Sequence, residues 1–100
     1  MKYEVRIRED IKVAIFDENG NMISPEWFGW ISFYGLVKGE SNYYIAWKDD
    51  KCAIFDEKGN MISPEWFDLI YEYGLVKGER DYYIACNGNT CAVYHKDGKK

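Results

Sequence analysis

Very few residues of this chain have the type and spacing that catalysis requires. His95 is the only histidine, and no serine or cysteine nucleophile accompanies it in a recognisable motif. It stands just before a turn, where Asp17 and Asp56 stand earlier in the chain. We therefore interpret His95 as a turn residue.

Four acidic residues are candidates for a general acid/base pair: Glu26, Glu65, Asp68 and Glu72. Such a pair needs surroundings that shift the pKa of one carboxyl group, and the local sequence does not indicate them. Glu26 and Glu65 each follow a proline, where an acid favours the start of a short helical turn. We predict no catalytic residue and no enzymatic activity.

Two patterns are partial matches to metal sites. The run Asp17-Glu18-Asn19-Gly20-Asn21 offers oxygen ligands, but a calcium loop needs more carboxylates and a bidentate acid at its end. The corresponding run later in the chain carries Lys58, which opposes a cation. The three cysteines and His95 lack the paired spacing of a structural zinc site. We predict a hairpin turn at residues 17–21, no metal and no cofactor.

The aromatic content is the main functional indication. Aromatic residues make up 18% of the chain, including nine tyrosines and four tryptophans. Those that recur along the chain are predicted to be core residues: Phe16, Phe55, Trp27 and Trp66. Three others do not recur, since Trp30, Phe33 and Trp47 are matched by Leu69, Glu72 and Cys86. We predict that Trp30, Phe33 and Trp47 contribute to a binding surface.

An internal repeat of 39 residues organises the sequence. Residues 12–50 and 51–89 are identical at 27 of 39 positions. A partial third copy follows, and the N-terminus is a degenerate copy of the same unit. We predict one domain, residues 1–100, with copies at approximately 3–41, 42–80 and 81–100.

The repeated unit has the pattern of short β-strands. Runs rich in aromatic and β-branched residues, such as 43–47 and 52–56, flank short polar turns. The segments Ser24–Trp27 and Ser63–Trp66 predict a single helical turn capped by serine. Further strands are predicted at Met22-Ile23, at Met61-Ile62 and from Leu69 to Val76, with a bulge at Gly74. The total is about ten short antiparallel strands.

One turn predicts a pair of opposed cysteines. If Gly88 and Asn89 form a two-residue turn, Cys86 lies directly opposite Cys91, as Trp47 lies opposite Cys52. Directly opposed residues are within disulfide reach. We expect reduced thiols in the cell and oxidation in air.

The repeated pattern resembles the WG-repeat family of bacterial β-repeat proteins. The residues that carry the resemblance are Lys51–Asp56, Gly59, Ile62–Pro64, Trp66–Asp68 and Gly74–Val76. The Trp-Gly pair that names the family is replaced here by Val13-Ala14, Cys52-Ala53 and Cys91-Ala92. The resemblance implies a non-enzymatic β-repeat used for binding or assembly, with no catalytic residues.

Two all-β architectures fit this pattern. Both faces of the 43–47 and 52–56 strands are apolar, so we expect both to be covered at least in part. A compact sandwich or barrel satisfies this within one chain. The alternative is half of a β-propeller completed by homodimerisation, since a propeller needs roughly four or more blades.

Composition limits the choice of partners. The chain has 100 residues and a net charge of −4, which argues against a nucleic-acid or anionic-membrane surface. No apolar run approaches the ~20 residues of a membrane span, and the N-terminus lacks a signal-peptide core. We therefore expect a cytoplasmic protein.

The function predicted from these observations is binding without catalysis. We predict a β-repeat module that mediates protein–protein interaction or self-association, including a homodimer. The alternative is a carbohydrate or other small-ligand binder that uses an aromatic groove.

Overall fold

The computed structural model describes residues 2–98, which contain antiparallel strands and no helix. Eight short strands form in this range. In chain order they are β1 (Tyr3–Ile7), β2 (Val13–Asp17), β3 (Trp30–Ile31), β4 (Tyr43–Lys48), β5 (Lys51–Asp56), β6 (Leu69–Ile70), β7 (Tyr82–Asn87) and β8 (Thr90–His95). The predicted all-β class is confirmed.

The strands make three small sheets instead of one closed barrel. Their orders are β1-β2, β3-β4-β5 and β6-β7-β8, and every pairing is antiparallel. A short segment leads from each sheet to the next: Phe28 bridges to Val13 in β2, and β3 then pairs with β4. Because the connecting strands β3 and β6 are each only two residues long, the three sheets stay separate. The predicted barrel is therefore wrong.

The predicted number of about ten strands is also wrong for residues 2–98. Met22 and Met61 form only isolated bridges, to Phe16 and Phe55. The strand expected from Leu69 to Val76 stops at Ile70, and the chain then turns. Gly74 lies in this turn with φ of 97°, a conformation that glycine adopts without steric cost.

We call the three sheets first (β1-β2), central (β3-β4-β5) and third (β6-β7-β8). The central sheet is buried on both faces. Tyr44, Ala46, Ala53 and Phe55 enter one apolar cluster together with Val13 and Ile15 of β2. The alternate residues Ile45, Cys52 and Ile54 enter a second cluster with Tyr83 and Ala85 of β7. Side chains alternate across a strand, so the central sheet lies between the other two. This arrangement confirms that both faces of these strands are covered.

Serine has a different role from the one predicted. Residues 24–26 and 63–65 form a bend and not a helical turn. Ser24 and Ser63 are buried, and each hydroxyl oxygen accepts a hydrogen bond of 3.1 Å from a strand amide, that of Ile15 or Ile54. The hydroxyl therefore attaches the loop to the neighbouring strand.

The residue after each recurring tryptophan is the true core residue. Phe28 and Phe67 are buried, whereas Trp27 and Trp66 are half-buried, so the predicted burial of the tryptophans is wrong. Trp66 nevertheless packs its ring against Phe55, at 5.9 Å between centroids. Backbone pairing of Phe28 and Phe67 with β2 and β5 directs these two rings inward.

The segment 17–21 is a turn, as predicted. The Asp17 carboxylate accepts hydrogen bonds of 2.9 Å from the backbone amides of Asn19 and Asn21. These donors lower the pKa of Asp17. The Asp56 carboxylate accepts equivalent hydrogen bonds from the backbone amides of Lys58 and Asn60. Both carboxylates therefore stabilise their turns by accepting backbone hydrogen bonds.

Candidate functional site

Trp30, Phe33 and Trp47 come together at one edge of the central sheet. Trp30 in β3 pairs directly with Trp47 in β4. The ring of Phe33 meets that of Trp30 edge to face, with centroids 5.3 Å apart and planes at 85°. Two strands and the turn after β3 thus place the three predicted residues in one cluster.

The cluster lines a groove of about 280 Å³ between the central and third sheets, which we call the aromatic groove. Ile45 and Ile70 are buried and form its floor, while Leu69 lies on the side of the third sheet. Trp30 is 42% exposed and Phe33 60% exposed, whereas Trp47 is half-buried. Two large aromatic rings therefore remain open to solvent above an apolar floor.

The exposure of Phe33 follows from the end of β3. Ile31 is buried, and a longer regular strand would direct Phe33 inward with it. Because β3 stops at Ile31, the chain turns and Phe33 faces solvent. Its counterpart Glu72 is half-buried and lines the same groove.

The aromatic groove also carries polar groups. Ser32 lies in its lining, and its hydroxyl oxygen accepts a hydrogen bond of 3.2 Å from the Tyr34 amide. The Glu72 carboxylate is a second polar group in the lining. An apolar surface with a few fixed polar groups is typical of sites that bind organic ligands or protein side chains.

Recurring residues beside the groove were missed by the sequence analysis. Tyr34 and Tyr73 recur, yet Tyr73 is 65% exposed. The Lys77 ammonium lies 4.8 Å from the Tyr34 ring centroid and 4.9 Å from that of Tyr73. Recurrence alone did not distinguish core aromatics from these surface cation–π partners.

A second apolar surface covers the outer side of the third sheet. The exposed residues Leu69, Tyr82, Ile84, Cys91 and Val93 share this side, because Leu69 pairs with Cys86, Cys86 with Cys91, and Ile84 with Val93. We call this surface the end face. The sequence did not indicate it, since Ile45, Cys52 and Ile54, which correspond to Ile84, Cys91 and Val93, are core residues of the central sheet.

The cysteines follow the predicted register. Cys86 is paired with Cys91, and a disulfide joins them at a Cα–Cα distance of 4.0 Å. Cys52 is free and buried, and burial raises the pKa of its thiol to about 12. The thiol of Cys52 is therefore protonated and shielded at neutral pH.

A polar cleft elsewhere in the molecule does not involve the aromatic residues predicted as a site. It measures about 750 Å³ and lies between the turns near Glu40 and Arg80 and the end of β8 at His95. His95 ends β8, and its carbonyl accepts the Gly98 amide in the turn that follows. Among residues 2–98, no group of three or more His, Cys, Asp or Glu side chains is placed to hold a metal ion.

Comparison with known proteins adds no relative. No protein-family model matches the chain, and no curated protein or solved structure matches it significantly. Within the described range, no helix is long and apolar enough to cross a membrane.

Proposed function

We propose that this chain is a non-enzymatic β-repeat module that binds a protein partner, or a second copy of itself, through the aromatic groove. The observation that carries the proposal is the Trp30–Phe33 pair, which stays exposed above the buried floor of Ile45 and Ile70. Aromatic side chains contribute large contact areas and dominate protein interfaces.

The matching geometry of the two hairpins supports a tandem repeat. Tyr44 pairs with Phe55 in the central sheet, and Tyr83 pairs with Tyr94 in the third, each 39 positions later. The rings stack in both pairs, at interplanar angles of 16° and 18°. Together with the resemblance to the WG-repeat family, this supports an assembly or binding role. Half of a propeller completed by a second copy remains the alternative architecture.

The groove differs between the two copies in a way that provides the test. Phe33→Glu gives position 33 the residue that stands 39 positions later, at Glu72. Since Phe33 is exposed, we expect the thermal midpoint to change little. Trp30→Leu, which likewise copies Leu69, is the matched second variant.

A displayed library of random peptides serves as the probe. We expect the wild-type chain to select peptides with apolar or aromatic anchors, and both variants to bind the selected peptides at least tenfold more weakly. Peptides that bind the variants as tightly as the wild type would place the interaction elsewhere. Unfolding of Phe33→Glu would show that Phe33 belongs to the core.

Carbohydrate binding is the second candidate, and the polar groups of the groove favour it. Ser32 and Glu72 line the groove beside Trp30, and sugars bind through an aromatic platform flanked by hydrogen-bonding groups. A glycan array distinguishes the two candidates. Binding of one glycan class by the wild type, lost in Trp30→Ala, would favour this candidate over a protein partner.

We also propose a cytoplasmic location, which has a consequence for the thiols. Reducing compartments keep cysteines as thiols, so Cys86 and Cys91 are expected to be reduced in the cell and to form their bond on exposure to air. Trapping of thiols by alkylation at the moment of lysis, followed by mass spectrometry, tests this. A bridge already complete at lysis would contradict the proposed location.

A further inference from the structure

The central sheet provides an internal reference for the end face. Ile45 on the central sheet is 1% exposed, and Cys52 and Ile54 are fully buried. The residues 39 positions later have the same apolar character, yet Ile84 is 39% exposed, Val93 46%, and Cys91 is also exposed. The end face thus has the composition of an interface and lacks the cover that the central sheet has.

The cover on the central sheet shows what fits such a surface. It consists of apolar residues of the next sheet and its connecting segment, namely Phe67, Ile70, Leu75, Val76, Tyr83 and Ala85. Two apolar sheet faces that pack against each other at a sheet-to-sheet distance of about 10 Å bury the side chains of both. The end face therefore matches another apolar sheet face better than a polar or charged surface.

The opposite end of the molecule does not offer such a face. On the outer side of the first sheet, the Arg6 guanidinium covers the Phe16 ring at 4.3 Å and forms a salt bridge with Glu4. The Arg8 guanidinium likewise covers the Trp27 ring at 4.8 Å. Burying these charges against an apolar sheet would remove their solvation without replacing it, which disfavours head-to-tail stacking of copies.

We propose that the end face of one chain binds the end face of a second copy, which forms a two-fold symmetric dimer. The five residues that define the end face are uncharged. Glu79 and Arg80 lie beside Tyr82 and Ile84, and His95 pairs with Tyr82 at the edge of the face. The centre of the contact therefore buries apolar side chains, and the neighbouring side chains of opposite charge stay at its edge. An isologous contact of this kind closes at two copies and does not extend into a filament.

The dimer is expected to be weak because the face is small. Two six-residue strands and the two-residue β6 cover only about 230 Å², well below the roughly 800 Å² per partner of a standard interface. Association should therefore depend on concentration. The two surfaces meet at Leu69, but Trp30, Phe33 and Trp47 lie outside the end face. The inference therefore goes beyond the proposed function, and variants at Ile84 and at Phe33 test the two separately.

Sedimentation equilibrium of the purified chain under oxidising conditions is the first test. The mass is expected to rise with concentration from 11.8 kDa toward twice that value and no further. Ile84→Glu places a charge in the apolar contact and is expected to raise the dissociation constant of the dimer at least tenfold. Ile7→Glu is the matched control, since it adds the same charge at an exposed apolar residue of the first sheet, outside both the end face and the aromatic groove, and it should dimerise like the wild type.

A second measurement does not depend on variants. Amide NMR spectra of dilute and concentrated wild-type samples should differ mainly in β6, β7 and β8. A mass that stays at one chain up to millimolar concentration, or that grows beyond two chains, would overturn the proposal. So would concentration-dependent shifts centred on Trp30 and Phe33, or a dimer that Phe33→Glu weakens and Ile84→Glu does not.

Discussion

Tyr44 and Tyr83 occupy equivalent positions in two hairpins, and both carry a buried hydroxyl group without a hydrogen-bond partner within residues 2–98. Burial raises the pKa of Tyr83 to about 12 and that of Tyr44 also above its usual value. An unpaired polar group in an apolar cluster costs stability. The aromatic ring, and not the hydroxyl, is therefore the stabilising part of each side chain.

Replacing Tyr83 by Phe is expected to increase the free energy of unfolding by about 1 kcal/mol, because the substitution removes only the unpaired hydroxyl. Tyr44→Phe should behave alike. Urea denaturation at pH 7 measures the change. A loss of stability in either variant would mean that the hydroxyl has a hydrogen-bond partner in solution.

Cys52 is expected to reduce stability at alkaline pH. The folded chain holds the thiol proton up to a pKa of about 12, whereas an unfolded thiol titrates near 8.5. The stabilisation is complete below about pH 8.5 and is lost as pH rises toward 12, by at most about 1.4 kcal/mol per pH unit. Cys52→Val removes this titration, and Val13 already fills the equivalent buried position.

The measurement is the free energy of unfolding of both proteins between pH 7 and pH 10.5. The wild type should lose more stability than Cys52→Val over this range, while the tyrosines contribute equally to both. Parallel pH profiles would show that the thiol is not held in its neutral form.

At the scale of the elements, two equivalent glycines differ in what surrounds them. Gly39 and Gly78 have φ of 77° and 78°. A Cβ atom at Gly39 would meet nothing within 4 Å, whereas one at Gly78 would collide with the carbonyl oxygen of Glu40. The turn after β6 is thus packed against the turn before β4.

Alanine at these two positions separates backbone strain from packing. Gly39→Ala should cost about 1 kcal/mol, the usual penalty for a left-handed conformation with a side chain. Gly78→Ala should cost at least about 2 kcal/mol more, because the backbone of Glu40 must also move. Chemical denaturation of both variants gives the difference, and equal costs would contradict the packing of the two turns.

The elements set by local sequence were predictable. The β4–β5 and β7–β8 hairpins follow from alternating apolar residues and short polar turns, and the opposition of Cys86 and Cys91 is confirmed. The ends of β3 and β6 and the bend at Ser63 were not predictable. They depend on tertiary partners. For example, the Ser63 hydroxyl oxygen accepts a hydrogen bond from the Ile54 amide, and local strand propensity does not contain such a contact.

At the scale of the whole molecule, burial on both faces should make the central sheet the most stable layer. The amides of β4 and β5 are expected to exchange with solvent most slowly, since they open only when both apolar clusters are disrupted. Hydrogen exchange monitored by NMR measures this order. Slower exchange in β1 or β8 than in β5 would contradict it.

The packing of sheets was harder to predict than the hairpins. Apolar residues on both faces of a strand are compatible with a barrel, a sandwich or a row of sheets, because each covers both faces. The non-recurring residues Trp30, Phe33 and Trp47 were predicted as a group and do lie together. The end face could not be predicted in this way, because exposure of Ile84 depends on its place in the third sheet and not on its sequence.

The layered packing has a consequence for the length of the molecule. The two apolar clusters share no residue, so each interface between sheets is complete in itself. If residues 51–89 occurred twice in succession, the longer chain would contain a fourth sheet. This sheet would pack against its neighbours through the same apolar contacts that already join the central and third sheets. We expect such an elongated protein to fold and to unfold in urea with a larger m-value, because more surface is exposed. Two separate unfolding transitions would contradict this. The chain can thus be lengthened by duplication in steps of one layer, while the aromatic groove keeps its place.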